Sequence, residues 1–201
     1  MSQKALIISI QGTNLSKMEK VLLSKEKPWG IILFKRNLKS YLQVKKLIKE
    51  IKDLTKNKYF PIIIDEEGGT VSRLQNIINH DFNSKFWGDL YKDDKVLCER
   101  IFKHYLISIS KILTDLGINI NTIPVLDILK KNTSKIIGKR SFSTDKKIVR
   151  ALGELTIKHL QKCKIAGVIK HIPGHGSTSI DSHKKMPRVS SKLKVLNKND
   201  F

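Results

Sequence analysis

Two cysteines in 201 residues, Cys98 and Cys163, are too few and too far apart for a disulfide framework. Each falls within a helical pattern, which fits a free buried thiol in a reducing compartment. Long apolar runs are missing as well: none approaches the ~20 residues that a bilayer-spanning helix needs. The apolar start, Ala5 to Ile10, follows a single lysine and has no small-residue cleavage pattern, so it reads as a first strand and not as a signal peptide. A soluble, cytoplasmic protein with no membrane partner is the expectation. Linkers rich in glycine, serine or proline, internal repeats and low-complexity blocks are also absent. A chain of this length suits one full core and not two, so a single domain over residues 1–201 is expected.

Acidic residues are scarce: 18 stand against 39 lysines and arginines, for a formal net charge of +21. An excess of this size is one mark of nucleic-acid binding. Here the lysines are spread over nearly every segment, and with aromatics at 6% there are few rings beside them on which bases would stack. The joint abundance of Lys, Ile and Asn is also what AT-biased codon usage produces. Weak adhesion to polyanions is expected, and a specific nucleic-acid partner is not.

What the chain does have is an alternation of short apolar runs with longer segments of helical period, the pattern of a parallel α/β fold. The runs are Ala5–Ile10, Trp29–Phe34 entered through Pro28, Phe60–Ile64, Asn119–Val125, and a fifth containing Val168 and Ile169. Helical spacing recurs from Leu42 to Leu54 with Ser40 as N-cap, from about Asp94 to Leu116 with Gly117 closing it, and from Thr144 to Lys164 with Thr144 and Asp145 as caps. Asn76–Lys92 reads as a loop with a helical turn, and the residues after Pro187 as a polar tail of weak helical pattern. Five strand–helix units result. An eight-stranded barrel takes about 250 residues, so five units form either an open sheet or part of a barrel. Periodicity does not choose between them.

Residues fit for chemistry follow the strands, where parallel α/β proteins place their sites. The densest group is Lys170-His171-Ile172-Pro173-Gly174-His175-Gly176-Ser177-Thr178, then Asp181-Ser182-His183. An aspartate two residues before a histidine reaches its ring and fixes its tautomer, which makes a proton-transfer dyad of Asp181 and His183. Asp65-Glu66-Glu67 ends the third strand, with Gly68-Gly69 for a tight turn and Arg73 nearby. It offers a carboxylate to ligand hydroxyls or, alternatively, is an acidic loop tip that caps the next helix, and its place at a strand's carboxyl end favours the first. Arg140 is either a bidentate clamp or one surface arginine among many basic residues. Gly12, Asn14, Arg36 and Asn37 carry weaker versions of the same signal. His171 and His175 have a spacing that marks a metal site on a helix, but Pro173 and Gly174 break any helix between them, so no metal is expected. The glycine pattern also lacks the six-residue interval of a phosphate-binding loop.

These residues resemble one family closely, the bacterial β-N-acetylglucosaminidases of glycoside hydrolase family 3, cytoplasmic enzymes of cell-wall recycling. The resemblance runs through Gly30 to Asn37, Ile64 to Arg73, Pro124 to Asp127, Ile137 to Phe142, and the K-H-x-P-G-H-G-x(4)-D-S-H block from Lys170 to His183. It implies a (β/α)8 TIM barrel, of which this chain carries about the first five β/α units. It also implies a retaining β-N-acetylhexosaminidase that removes terminal N-acetylglucosamine from peptidoglycan-derived saccharides without a cofactor. Asp65, Arg73, Arg140, Lys170 and His171 would bind the sugar, with His183 and Asp181 as the catalytic acid/base dyad. His175 is expected to shape the loop, hydrogen-bonded within the Pro-Gly-His-Gly turn. Thr70 stands where the family usually has arginine, which alters the salt bridging of that loop. The family's nucleophile is an aspartate in a Ser-Asp-Asp context on a seventh strand. This chain reaches Phe201 before a sixth strand, and Asp200 has no strand before it. The expectation is therefore the first two-thirds of such an enzyme, without its nucleophile. A truncated, inactive remnant or sugar-binding pseudoenzyme is one alternative, and a basic nucleic-acid-associated protein a second. Exposed strand edges around Leu6–Ile10 and Val168–His171 are expected to promote self-association.

Overall fold

Pro28–Leu33 and Ile62–Ile64 are apolar on both faces, as strands covered from two sides must be. In the computed structural model, which describes residues 3–199, they are β2 and β3 at the middle of a five-stranded sheet. Asp200 lies outside the described residues. The flanking strands are β1 (Lys4–Ser9), β4 (Ile120–Asn121) and β5 (Ala166–Gly167). Every pairing is parallel and the strands keep chain order, β1-β2-β3-β4-β5. A doubly wound open sheet would reverse its order at a switch point. The unbroken sequence of neighbours is that of consecutive units of a (β/α)8 barrel.

The helices are α1 (Lys17–Glu26), α2 (Tyr41–Thr55), α3 (Ser84–Asp93), α4 (Lys95–Leu116), α5 (Lys146–Lys162) and α6 (Leu193–Asn199). Ser40, Asp94 and Asp145 cap α2, α4 and α5, and Gly117 ends α4 in the left-handed conformation. Two helices depart from the sequence expectations. The first, α1, has only Leu23 buried and so shows little apolar period, yet Ser16 and Glu19 form a reciprocal capping box that starts it. The second, α3, is a regular helix in the stretch read as a loop. Asn83 caps it, and Trp87 packs against Phe102 and Tyr105 of α4 with ring centroids 4.8 and 5.1 Å apart. Gly88 dilutes its helical signal. That glycine is required, because a Cβ there would lie 1.7 Å from the Phe142 carbonyl oxygen.

Regular pairing in β4 is shorter than Asn119–Val125 implied, and in β5 it falls on Ala166–Gly167, just before Val168 and Ile169, which were expected to lie in the strand. Beyond Asn121 and Gly167 the two strands stay joined by a looser ladder: Val168 N–H donates to Ile123 O at 3.1 Å, and Leu126 N–H donates to Lys170 O at 2.8 Å. Pro124 has no N–H to give, which interrupts the regular pattern. The looser ladder still delivers Asp127 and Lys170 to the same edge.

One apolar cluster lies between the sheet and α1, α2 and α4, and includes Ile31, Leu33, Ile62 and Ile64. A second, around Trp87, Phe102, Phe142 and Leu152, joins α3, α4 and α5. The outer strands are barely covered: Leu6 and Ile7 of β1 are 54% and 53% exposed, and Val168 and Ile169 beyond β5 are 41% and 48% exposed. Neither β1 nor the β5 side has a further neighbour among the described residues. Apolar side chains beside unpaired backbone groups are a template for edge pairing. The purified 201-residue polypeptide is accordingly expected to elute above its monomer mass in light-scattering chromatography and to bind a hydrophobic dye. Leu6→Lys with Ile169→Lys should shift it toward monomer. A monodisperse, dye-negative wild-type monomer with a cooperative melt would contradict this.

Candidate active site

Asp65, Glu66 and Glu67 leave β3 in succession and take three different tasks. The turn after them needs Gly68 and Gly69, at φ +87° and +57°; a Cβ on Gly68 would lie 2.0 Å from the Phe82 carbonyl oxygen. Glu66 points away from the cavity and closes the loop from inside. Its Oε2 accepts the backbone N–H groups of Arg73 at 2.8 Å and Leu74 at 2.9 Å, and its Oε1 pairs with His80 at 3.1 Å. The Asn121 side chain bonds both the N–H and the carbonyl of Glu66, each at 3.0 Å. So Glu66 fixes backbone, which places Arg73.

Asp65 and Glu67 face the cations. Lys170 Nζ reaches Glu67 Oε1 at 2.5 Å, Thr122 Oγ1 at 2.8 Å and Asp65 Oδ1 at 3.3 Å. Arg140 grips Glu67 with two donors, Nε at 2.8 Å and Nη2 at 2.9 Å. Arg73 Nη2 lies 3.5 Å from Asp65 Oδ2, and the Thr122 hydroxyl donates to Asp65 Oδ1. Burial works to raise the Asp65 pKa, but the Thr122 hydrogen bond and the charges of Lys170 and Arg73 outweigh it and hold the carboxyl below its ordinary range. For Arg140, burial is likewise outweighed by Glu67, and the guanidinium pKa is raised. The Arg140 clamp therefore closes on Glu67, whose side chain is only 1% exposed. Glu67 and Thr122 were not distinguished in the sequence: a run of three acids does not show which one the loop turns inward, and a threonine after a strand carries no signal.

His171 is oriented by a residue that the sequence marks only as the end of the Pro124–Asp127 block. Asp127, fully buried, accepts from His171 Nδ1 at 2.6 Å through Oδ2 and from the His175 backbone N–H at 2.6 Å through Oδ1. Burial pushes the Asp127 pKa up; the His171 hydrogen bond and charge outweigh it, and the net shift is downward. Arg140 Nη2 lies 3.4 Å from His171 Nε2. Arginine has only donors, so Nε2 is the acceptor and the proton sits on Nδ1. The His171 ring is thereby held in one orientation, with a partner at each nitrogen. His175 is not hydrogen-bonded within the Pro-Gly-His-Gly turn as expected: its backbone N–H donates to Asp127 outside that turn, and both ring nitrogens are buried without a partner. Gly176 packs against the neighbouring loop, where a Cβ would meet the Ile128 carbonyl oxygen at 2.1 Å, and Thr133 Oγ1 donates to Gly176 O at 2.7 Å. Gly176 thus serves close packing.

Asp181 and His183 meet as the spacing implied. Asp181 Oδ1 accepts from the His183 backbone N–H and pairs with its ring Nδ1, both at 2.9 Å. The backbone N–H, and next the ring, hold the Asp181 carboxyl below its ordinary range. His183 is 73% exposed and stands at the rim of a cavity of about 710 Å³ that Asp65, Glu67, Arg140, Lys170 and His171 also line. Arg73 and the exposed Thr70 complete that rim. All seven sequence-derived candidates thus meet at one edge of the sheet. The weaker candidates do not join them: Asn37 is buried and donates to the Ile10 and Gly12 carbonyls, and Arg36 bonds Ile10 O and Ser9 Oγ. Among the described residues no three His, Cys, Asp or Glu side chains are grouped to hold a metal ion, and no helix is long and apolar enough to cross a membrane.

Comparison with known proteins agrees with this fold. Residues 3–201 match the family profile described as glycosyl hydrolase family 3 N terminal domain. A β-hexosaminidase of Psychromonas ingrahamii is 32% identical over 199 residues, covering 97% of this chain and 57% of that protein. One from Xylella fastidiosa is 30% identical over 179 residues, covering 89% of this chain and 52% of that protein. The crystal structure of NagZ from Neisseria gonorrhoeae in complex with N-trifluoroacetyl-D-glucosamine superimposes with a TM-score of 0.88 at 30% identity, covering 98% of this chain and 58% of that one. The chain spans about half the length of these relatives. With a family match over nearly all of its residues and this set of side chains at the sheet's edge, the chain belongs to glycosyl hydrolase family 3 and carries a β-hexosaminidase-like form of its N-terminal domain.

Proposed function

We propose that the cavity receives the terminal N-acetylglucosamine of cell-wall saccharides, and that it belongs to a retaining β-N-acetylhexosaminidase acting in the cytoplasm. The observation that carries this is the mutually paired cluster Asp65–Lys170–Glu67–Arg140, sharing one cavity with the His183–Asp181 pair. A sugar is neutral and dense in hydroxyls. Charged groups already fixed and neutralised by one another bind it well, since each gives a strong hydrogen bond and none is left with an uncompensated charge. Asp65 accepts from ring hydroxyls, while Lys170, Arg73 and Arg140 donate. His183 protonates the departing glycosidic oxygen and then takes a proton from water, as the acid/base of a retaining mechanism does. Asp181, bonded to Nδ1, keeps that nitrogen's proton in place and leaves Nε2 for the transfer. The two unbridged thiols, Cys98 and Cys163, support the compartment.

Titration of the 201-residue chain with N-trifluoroacetyl-D-glucosamine, followed by fluorine NMR, tests the binding half of this reading. Saturable binding is expected, competed by N-acetylglucosamine and abolished in Asp65→Asn. A titration without saturation, or one that Asp65→Asn leaves unchanged, would overturn it.

A further inference from the structure

His80 lies behind the site, in the stretch read from the sequence as a loop. Its side chain is 7% exposed, and neither it nor Glu66 lines the cavity. The ring packs edge-on against Tyr105 with centroids 5.5 Å apart. Nε2 lies 3.1 Å from Glu66 Oε1, and Nδ1 is buried without a partner. An ionised carboxylate only accepts, so Nε2 is the donor and Glu66 is its one polar contact. For shape alone a leucine would fill this place without an orphaned nitrogen; what the imidazole adds is the bond to Glu66. That bond fixes how the Glu66 carboxylate is turned. The other oxygen, Oε2, accepts the backbone N–H groups of Arg73 at 2.8 Å and Leu74 at 2.9 Å. The antiparallel bridge of the preceding turn ends at Val71, so these two bonds hold the chain just beyond it. Arg73 is the residue they deliver to the cavity, with Nη2 at 3.5 Å from Asp65 Oδ2.

We infer that His80 is a positioning residue of the sugar site, which acts through Glu66 to set the backbone of Arg73 and with it the guanidinium beside Asp65. A binding group has to be held to within about 0.5 Å of its working place by the residues behind it. The Arg73–Asp65 pair has little room for error, because at 3.5 Å it is already long for a hydrogen bond. With His80 removed, Glu66 Oε1 is buried without a donor and the carboxylate turns to find one, which takes Oε2 away from the Arg73 and Leu74 N–H groups. The inference rests on the reading of the cavity as a sugar site. It adds to that reading a residue that touches no ligand, so its whole effect on binding passes through Arg73.

A double-mutant cycle in the 201-residue chain tests it, with N-trifluoroacetyl-D-glucosamine as the probe. His80→Gln keeps an amide N–H near the place of Nε2, whereas His80→Leu and the shorter His80→Asn leave Glu66 without that donor. Affinity is expected to fall about fivefold in His80→Leu and in His80→Asn, the net worth of one hydrogen bond, and to return to within about twofold of the wild type in His80→Gln. Arg73→Ala is expected to bind about tenfold more weakly. In the Arg73→Ala background His80→Leu should cause no further loss beyond about twofold, because residues that act through one another are not additive. Should His80→Leu fail to fold, His80→Asn carries the same cycle. Losses that multiply in the double variant overturn the inference, since His80 then supports the fold and not Arg73. Wild-type affinity in the folded Leu or Asn variant overturns it, and so does a loss that Gln does not recover. Asp65→Asn separates the two levels. If that variant loses binding and the His80 variants do not, only the role of His80 fails. If Asp65→Asn binds like the wild type, the sugar site fails and the inference with it.

Discussion

In a barrel completed with the remaining β/α units of a β-hexosaminidase relative, His183→Ala is expected to lower turnover of substrates with poor leaving groups by about 10²–10⁴-fold, the usual worth of general acid–base catalysis. Aryl glycosides with acidic phenols should lose far less in the first step, since they depart with little protonation. The argument is geometric: Nδ1 of His183 is tied to Asp181 at 2.9 Å, so only Nε2 is left to exchange a proton with the substrate. Asp181→Ala should show the same leaving-group dependence with a smaller loss, because the imidazole remains but its tautomer is no longer fixed. Kinetics on two substrates of different leaving-group pKa check both. An equal loss on both substrates would assign His183 to binding and not to proton transfer.

His171 supplies the internal comparison. It too is a histidine held by an aspartate, at 2.6 Å through Nδ1, but its partner is buried and its Nε2 faces Arg140. An imidazole whose two nitrogens are both engaged by the protein is fixed in place, whereas the exposed His183 ring has one nitrogen free of Asp181. The two Asp–His pairs of this chain therefore differ in setting, through burial and through what meets the second nitrogen, although the sequence writes both with the same two residue types.

The part of the fold that was legible in the sequence is the part set by local pattern. β2, β3, α2, α4 and α5 follow from apolar period and from caps at Ser40, Asp94, Asp145 and Gly117. Where tertiary contact decides, the pattern fell short: α3 is held by the stacking of Trp87 on α4 around an obligatory Gly88, and α1 by a capping box with a single buried apolar residue. The site divides in the same way. Asp65, Lys170, His171, Asp181 and His183 announce themselves as polar residues after strands or in a dyad spacing. Glu67 and Thr122 do not, since their selection depends on how the loop after β3 curls and on what β4 sets opposite it. His175 was legible as a loop residue, but the state of its ring nitrogens is a property of the folded surroundings.

The 201-residue polypeptide assayed by itself is expected to release no phenol from an aryl N-acetyl-β-glucosaminide above the uncatalysed rate. A retaining mechanism needs an anionic nucleophile about 5 Å from the acid/base group, on the far side of the anomeric carbon. Among the described residues the carboxylates that line the cavity are Asp65 and Glu67, and both are already committed. Glu67 is 1% exposed and spans Arg140 and Lys170; Asp65 is bound to Thr122, Lys170 and Arg73. A carboxylate so stabilised is a poor nucleophile, because the same hydrogen bonds and charges that hold its pKa down hold its electron pairs. Sugar binding without turnover is the outcome this geometry supports for the isolated polypeptide. Phenol release lost on His183→Ala would overturn it, and a further loss on Asp65→Asn with sugar affinity retained would make Asp65 the nucleophile in place of a hydroxyl-binding group.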